Sequence, residues 1–357
     1  MQQRLTPGPL FDDRGRLDRP GWSTSEIRTY DRAQIAASRL RIKEWDYYCV
    51  LSDVLSDDPL SDGTTAGRPA GPYGIALTVA DNGYMGLLGV SRLDLAARCE
   101  VTADTMIPLP LGRMRMPASA DSGDVVVRHG GLRIEYRHVP GGRRLTVDHP
   151  GFDGGRGLSG ELLLTAPESD RMVIATPFPH APKAFYYNQK INCLPASGDI
   201  TVGDRTYRFE PSSAFGVFDW GRGVWTYDNT WYWASASGLH NGVPFGFNIG
   251  YGFGDTSAAS ENMLFHNGVA HKLDRVHFHR PRDTYVDAPW QFTSNDGRFE
   301  MTFAPILDRA ADVDALVLRS TQHQVFGRFT GFVLLDDGTR LDIENLLGFA
   351  EEVRNRW

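Results

Sequence analysis

Cysteine is scarce in this 357-residue chain: Cys49, Cys99 and Cys193 are the only ones, and they lie far apart. An odd number without C-x-x-C spacing offers neither a disulfide framework nor a zinc ribbon. Long apolar runs are missing too, and none approaches the roughly 18 to 20 residues that a membrane helix requires. The opening MQQRLTPGPLFDDRGRLDRPGW lacks the apolar segment of a secretory leader. A soluble, cytoplasmic protein without an integral membrane segment is therefore expected. Lys and Arg form no block, and 37 basic residues face 44 acidic ones for a net charge of −7. That balance argues against nucleic acid as a partner. G-x-S-x-G, Walker, H-E-x-x-H and C-x-x-C elements are all absent, so serine-nucleophile, phosphoryl-transfer and zinc-hydrolase chemistry lack support. No cofactor and no metal are expected.

What is present is turn chemistry: 38 glycines and 21 prolines punctuate short runs rich in aromatic and β-branched residues. The length exceeds what one ordinary core fills, which favours two domains. A polar opening to about Ser25 reads as an extended arm, and TYDRAQIAASRLRIKEW holds a short helix with Ile35, Ser38 and Ile42 on one face. From Trp45 the pattern is strands, interrupted by a loop, SDDPLSDGTTAGRPAGP, over residues 56–72. GIALTVADNGYMGLLGV carries Asn82-Gly83, the pair that a type I′ hairpin turn requires. A second series of strands begins after PHAPK, with alternation such as Leu341 and Ile343 inward against Arg340, Asp342 and Glu344 outward. The expected fold is all-β, two tandem antiparallel barrels or sandwiches with few short helices. The N-terminal domain spans 1–180 with its arm, and the C-terminal domain spans 181–357. One large sandwich is the alternative.

Chemistry concentrates in the second half. In FYYNQK, a strand puts Tyr186, Asn188 and Lys190 on one face and Tyr187 and Gln189 on the other. If the first face is interior, Lys190 needs a carboxylate partner, and Asp219 is a candidate; if it faces water, no partner is needed. In AFGVFDWGRGVWTYDNTWYWASASG, Asp219, Trp220 and Arg222 stand at a glycine-flanked corner, followed by Trp225, Trp231 and Trp233. A desolvated Asp219 would hold its proton and act as an acid, whereas an Asp219–Arg222 pair would only fix the corner. Trp231 and Trp233 share a strand face opposite Tyr232. NIGYGFGDTSAASENMLF supplies Asn248, Asp255 and Glu261; Gly250, Gly252 and Gly254 alternate as in a strand pressed close to its neighbours. Asp255 and Glu261 allow a carboxylate pair for glycoside chemistry. His277 and His279 form an H-x-H pair with metal-ligand spacing, set against an ordinary half-buried strand role. His323, Gln324 and Glu351 are polar residues inside apolar strands and are candidate pocket contacts.

The succession LFDDRGRL, KEWDYY, FYYNQK, PASGDI, FDWGRGVW, WYWASASG, GFGDT, HKLDRV, SNDGRFEM, HQVFGRFTG and GFAEEVRNRW resembles the bacterial family called domain of unknown function 2804, over almost the whole chain. A more distant similarity runs to carotenoid hydratases, tocopherol cyclases and lipocalin-like pericyclases. The shared order is paired tyrosines (Tyr186-Tyr187), a hairpin (Gly203-Asp204), an acidic corner (Asp219-Trp220-Gly221) and a W-x-W strand (Trp231 to Trp233). The relatives carry a basic residue between the corner's Asp and Trp; here Asp219 and Trp220 are adjacent, and Arg222 follows the glycine. The resemblance implies two lipocalin-like β domains that hold a lipid, isoprenoid or polyketide-like guest. It also implies that Asp219 is a general acid, assisted by Arg222 and Lys190, in a cofactor-independent hydratase, cyclase or isomerase. A non-catalytic carrier would use the same pocket, and a carbohydrate-active enzyme would use Asp255 and Glu261.

Overall fold

Period-two alternation, the signature of a strand with two unlike faces, governs burial in strands such as Gly142–His149 and Leu158–Thr165, whereas strand Ala214–Val224 is buried on both faces. The structure is a computed structural model that describes residues 2–54, 71–315 and 318–356. The loop expected over 56–72 lies almost wholly outside the described residues. In chain order the strands are β1 (Gly8–Pro9), β2 (Gly21–Ser23), β3 (Arg28–Thr29), β4 (Ile42–Ser52), β5 (Tyr73–Asp81), β6 (Met85–Asp94), β7 (Cys99–Pro108), β8 (Val125–His129), β9 (Leu132–Val139), β10 (Gly142–His149), β11 (Leu158–Thr165) and β12 (Met172–Pro177). They continue as β13 (Phe185–Val202), β14 (Arg205–Phe209), β15 (Ala214–Val224), β16 (Asp228–His240), β17 (Val243–Tyr251), β18 (Met263–His266), β19 (Val269–Lys272), β20 (Val276–His279), β21 (Trp290–Ser294), β22 (Phe299–Ala315), β23 (Leu318–Leu334) and β24 (Arg340–Arg356). The result is two tandem lipocalin-like domains, a nearly closed barrel and a half-barrel.

By contact, the chain divides into two interleaved units. The C-terminal unit comprises Met1–Ser38, Ser169–Cys193 and Gly221–Trp357; the N-terminal unit comprises Arg39–Glu168 and Leu194–Trp220. β13 and β15 each start in one unit and end in the other.

In the N-terminal unit the strand order is β7-β6-β5-β4-β15-β13-β11-β10-β9-β8, and β14 also pairs with β13. Val50, Val79, Leu88, Val90 and Ile134 are fully buried. The β5–β6 hairpin forms as expected, but its turn is not type I′. Gly83 has φ +78° while Asn82 is not left-handed. The buried Asp81 carboxylate accepts the Gly83 N–H at 3.0 Å and so sets the turn. Cys49, Cys99 and Cys193 are free thiols.

The C-terminal unit carries a nine-stranded antiparallel sheet, β19-β18-β17-β16-β24-β23-β22-β21-β20. It curls back on itself: the β17 residue Tyr251 has its ring 5.3 Å from the β20 residue Phe278 and accepts that residue's N–H at 3.4 Å. The enclosed core includes Phe247, Trp290, Phe299, Phe303 and Phe329, with the Phe303 and Phe329 rings 4.5 Å apart. The alternation read over residues 340–344 is observed, with Leu341 and Ile343 buried and their neighbours exposed. The N-terminal arm joins this unit as an extended segment. β1 pairs parallel with β3, and β2 pairs with β12, which pairs with the start of β13. The helix expected after Tyr30 reduces to a single 3-10 turn, Arg32–Gln34, capped by Asp31. Ile42, assigned to that helix face, instead begins β4. A turn that satisfies its amides through Asp31 has no need of a longer helix.

Candidate functional site

The nine-stranded sheet uses its inner face for the phenylalanine core and its other face for different chemistry. On β16, Ala234 and Ala236 point into the core and Tyr232 packs against it. By alternation, Trp231, Trp233 and Ser235 point the opposite way. The register sets Gly250, Trp233, Glu351 and Gln324 abreast on β17, β16, β24 and β23. One such row therefore runs across four strands, and nearly all of it is buried: Trp233 is 5% exposed, Glu351 4% and Gln324 1%.

Each polar group in that row is held. The Glu351 carboxylate accepts the Trp231 indole N–H at 2.8 Å and the Gln324 amide N–H at 2.9 Å. Trp233 Nε1 donates to Asn248 Oδ1 at 2.6 Å, and Asn248 Nδ2 donates to the Glu261 carbonyl at 2.9 Å. Gly250 leaves room for the Glu261 side chain. A Cβ there would lie 2.9 Å from Glu261 Oε1 and 2.8 Å from the Tyr232 carbonyl. The glycine reading thus applies at Gly250, whereas Gly252 and Gly254 have φ of +93° and +74° and belong to the turn beyond β17.

β13 delivers the third ionisable group. As alternation requires, Tyr186 and Lys190 share one face: Tyr186 meets Phe253 at 4.8 Å, and the Lys190 ammonium sits 3.7 Å from the Trp233 ring centroid. That is cation–π distance in a buried setting. Asn188 lies between them in sequence on the same face and is fully buried. Phe253 gathers Trp225 at 5.0 Å and Trp231 at 5.2 Å, while Trp225 and Trp231 stand 5.9 Å apart. The unit therefore presents a tryptophan-rich face tipped by one ammonium and two carboxylates. Asn192, which had carried no weight in the sequence, braces it by donating to Ser235 Oγ at 2.8 Å and to the Phe247 carbonyl at 3.0 Å.

The other candidates make contacts of their own. Tyr187 faces the opposite way and donates its hydroxyl to the Arg28 carbonyl at 3.0 Å; burial raises its pKa. Asp255 accepts the Ser257 N–H at 3.0 Å, and bonds from Ser257 hold its carboxyl below the usual range. His277 and His279 sit on the exposed face of β20, where His279 meets Thr293 Oγ1 at 2.8 Å. Among the described residues, no group of three His, Cys, Asp or Glu side chains has metal-binding proximity. Arg222 is fully buried, and its Nη1 donates to the Gly221 carbonyl at 2.8 Å. Asp219 and Trp220 belong to the N-terminal unit, where Asp219 Oδ2 accepts the Trp45 indole N–H at 3.1 Å. Trp45 was not singled out from the sequence, although it opens the WDYY run.

The signal that was present but underused is the pair Glu351-Glu352 inside GFAEEV. Neighbours in a strand face opposite sides, so two buried adjacent carboxylates mark two separate polar sites. Glu352, with Arg280, Tyr285 and Asp308, was missed, as was the separation of His323 from Gln324 onto opposite faces.

The model for the family described as domain of unknown function (DUF2804) matches residues 1–357, and the chain belongs to that family. Two solved structures share the fold. One is a candidate AttH protein from Nitrosomonas europaea, 15% identical, with a TM-score of 0.51 over 88% of this chain and 92% of that one. The other is kievitone hydratase from Nectria haematococca, 10% identical, with a TM-score of 0.52 over 99% of this chain and 98% of that one. No curated protein matches the chain.

Proposed function

We propose that this member of the DUF2804 family binds a mainly apolar small molecule, such as a lipid, isoprenoid or polyketide-like compound, against the tryptophan face of its C-terminal unit. In this reading the same groups assist hydration, cyclisation or isomerisation by proton transfer. The observation that carries it is the row in which Glu261, Trp233 with Lys190 above it, and Glu351 stand side by side. The apolar core occupies the other face of the same strands, so these groups are not part of it. Desolvating ionisable groups costs several kcal/mol or so each, and such groups concentrate where chemistry or binding uses them. Trp225, Trp231 and Phe253 supply apolar area, Lys190 an electrophilic contact, and Glu351 a carboxyl oriented by two donors. A hydratase with the same fold agrees with this class of reaction. The carbohydrate reading has less behind it, since the Asp255 carboxylate is engaged by its own turn.

The test is untargeted mass spectrometry of what co-purifies with the native protein and with Trp225→Leu. An apolar compound retained by the parent and reduced in the variant is expected. An oligosaccharide, or retention indifferent to Trp225→Leu, would refute the reading. Once a substrate is in hand, Asp219→Asn tests the assignment of Asp219 as proton donor by itself: turnover should vanish while the melting temperature holds. Full activity in that variant would return Asp219 to a structural role.

A further inference from the structure

Beyond the apolar core, the inner face of the nine-stranded sheet changes character. Past Ala234, Val325 and Ala350, the same faces of β16, β23 and β24 carry Thr230 and Asp228, His323 and Thr321, and Glu352 and Arg354. These residues line an open-ended cavity of about 740 Å³ at the mouth of the barrel, within the size range of small-molecule sites. Five arginines (280, 282, 319, 354 and 356) line it against four carboxylates (Asp228, Asp283, Asp312 and Glu352). On a chain with net charge −7, it is the gathering of five arginines around one cavity that suits an anion.

The floor of the cavity is rigid. Glu352, with its side chain 2% exposed, accepts Arg280 Nε at 2.9 Å, Arg354 Nε at 2.9 Å and the Tyr285 hydroxyl at 3.3 Å. One carboxylate thus fixes two guanidiniums and leaves their charge in excess. The His323 ring stacks on Tyr285 at 3.7 Å with planes 8° apart, while Arg280 lies over the same tyrosine ring at 4.3 Å. Desolvation, together with Glu352, pushes the Tyr285 hydroxyl up to about 12, so it stays protonated as a donor. His323 Nδ1 bonds Asp308 Oδ2 at 2.7 Å, which orients the ring and fixes its other nitrogen as the one for a ligand. Arg282 and Arg319 are exposed and have no side-chain partner among the described residues. Two exposed guanidinium forks at the rim, without a side-chain partner among the described residues, match two oxygens of a carboxylate or a phosphate.

We propose that the mouth of the C-terminal barrel is a second binding site, for a small organic anion held by Arg282 and Arg319 with His323 beside it. It lies on the opposite face of the sheet from the tryptophan row and does not rest on the function proposed there. The shared chemistry is an oxyanion, and titration calorimetry of the full chain with citrate and with pyrophosphate separates carboxylate from phosphate. Triethyl citrate serves as the uncharged control. One or both oxyanions should bind, and the control should not. Arg282→Gln and Arg319→Gln should each weaken binding about tenfold and leave the melting temperature unchanged, because neither guanidinium has a side-chain partner among the described residues. Added salt should weaken binding further. No heat from either oxyanion, equal binding of triethyl citrate, or undiminished binding in the double variant would overturn the proposal.

Discussion

Glu351→Leu removes the acceptor at the centre of the polar row. The carboxylate takes two hydrogen bonds, from Trp231 Nε1 at 2.8 Å and from Gln324 Nε2 at 2.9 Å. Hydrogen bonds to a charged acceptor contribute about 1.5–3 kcal/mol each, and a buried donor left without one carries its desolvation penalty. Trp231 is half-buried, so water can satisfy part of its loss; Gln324 is 1% exposed and has no such recourse. Leucine also relieves the desolvation of the carboxylate, which offsets some of the cost. The net expectation is a loss of about 2–4 kcal/mol. For a unit of about 200 residues, that lowers its melting temperature by roughly 5–15 °C. Glu351→Gln keeps one acceptor oxygen and should lose about half as much. Removing both partners in Gln324→Leu/Glu351→Leu leaves fewer orphaned donors, so the double variant should be less destabilised than the sum of the singles, with a coupling of about 1–3 kcal/mol. Thermal unfolding followed by near-ultraviolet circular dichroism reads tertiary packing around the tryptophans. Glu351→Leu melting within a degree or two of the parent would show that these contacts contribute nothing to stability.

Gly250→Ala forces a Cβ to within 2.9 Å of Glu261 Oε1 and 2.8 Å of a backbone carbonyl. It should cost about 1–3 kcal/mol by urea denaturation, and a neutral result would mean that the strand has room. Trp233→Ala strips the platform under Lys190 and the donor to Asn248; a loss of about 3–5 kcal/mol is expected in the same assay. Glu135, on β9, accepts hydrogen bonds from Arg133, Arg137 and Arg128, Arg133 foremost, and its carboxyl is held at about 2 against an ordinary 4.5. Depression by the folded state stabilises above pH 4.5, and the benefit is lost as pH falls towards 2. With the arginines partly exposed, about 1–2 kcal/mol separates the parent from Glu135→Gln at pH 6. That gap should close as pH falls from about 4.5 towards 2, and a gap independent of pH would contradict the pairing.

Local rules sufficed for much of this protein. The all-β class and the β5–β6 hairpin follow from turn residues and period-two patterning, because both are set by neighbours a few positions apart. So does the shared face of Tyr186 and Lys190, since a strand's faces are fixed by parity alone. The sequence could not say which face of β16 would meet the core. Parity put Trp231 and Trp233 on one face and Tyr232 on the other, and it is Ala234 and Ala236, with Tyr232 packed against them, that meet the phenylalanines. That choice depends on partners far along the chain, such as Val325, Phe329 and Ala350. The row itself is a matter of register: Gly250, Trp233, Glu351 and Gln324 come from four strands whose alignment is fixed only when the sheet is assembled. For the same reason His323 and Gln324, adjacent in the chain, serve opposite faces, one in the barrel mouth and one beside Glu351. The sequence determined residue types and their parity. Tertiary structure decided which of them stand together, because cross-strand contacts of about 5 Å are made between residues that sequence distance leaves unrelated.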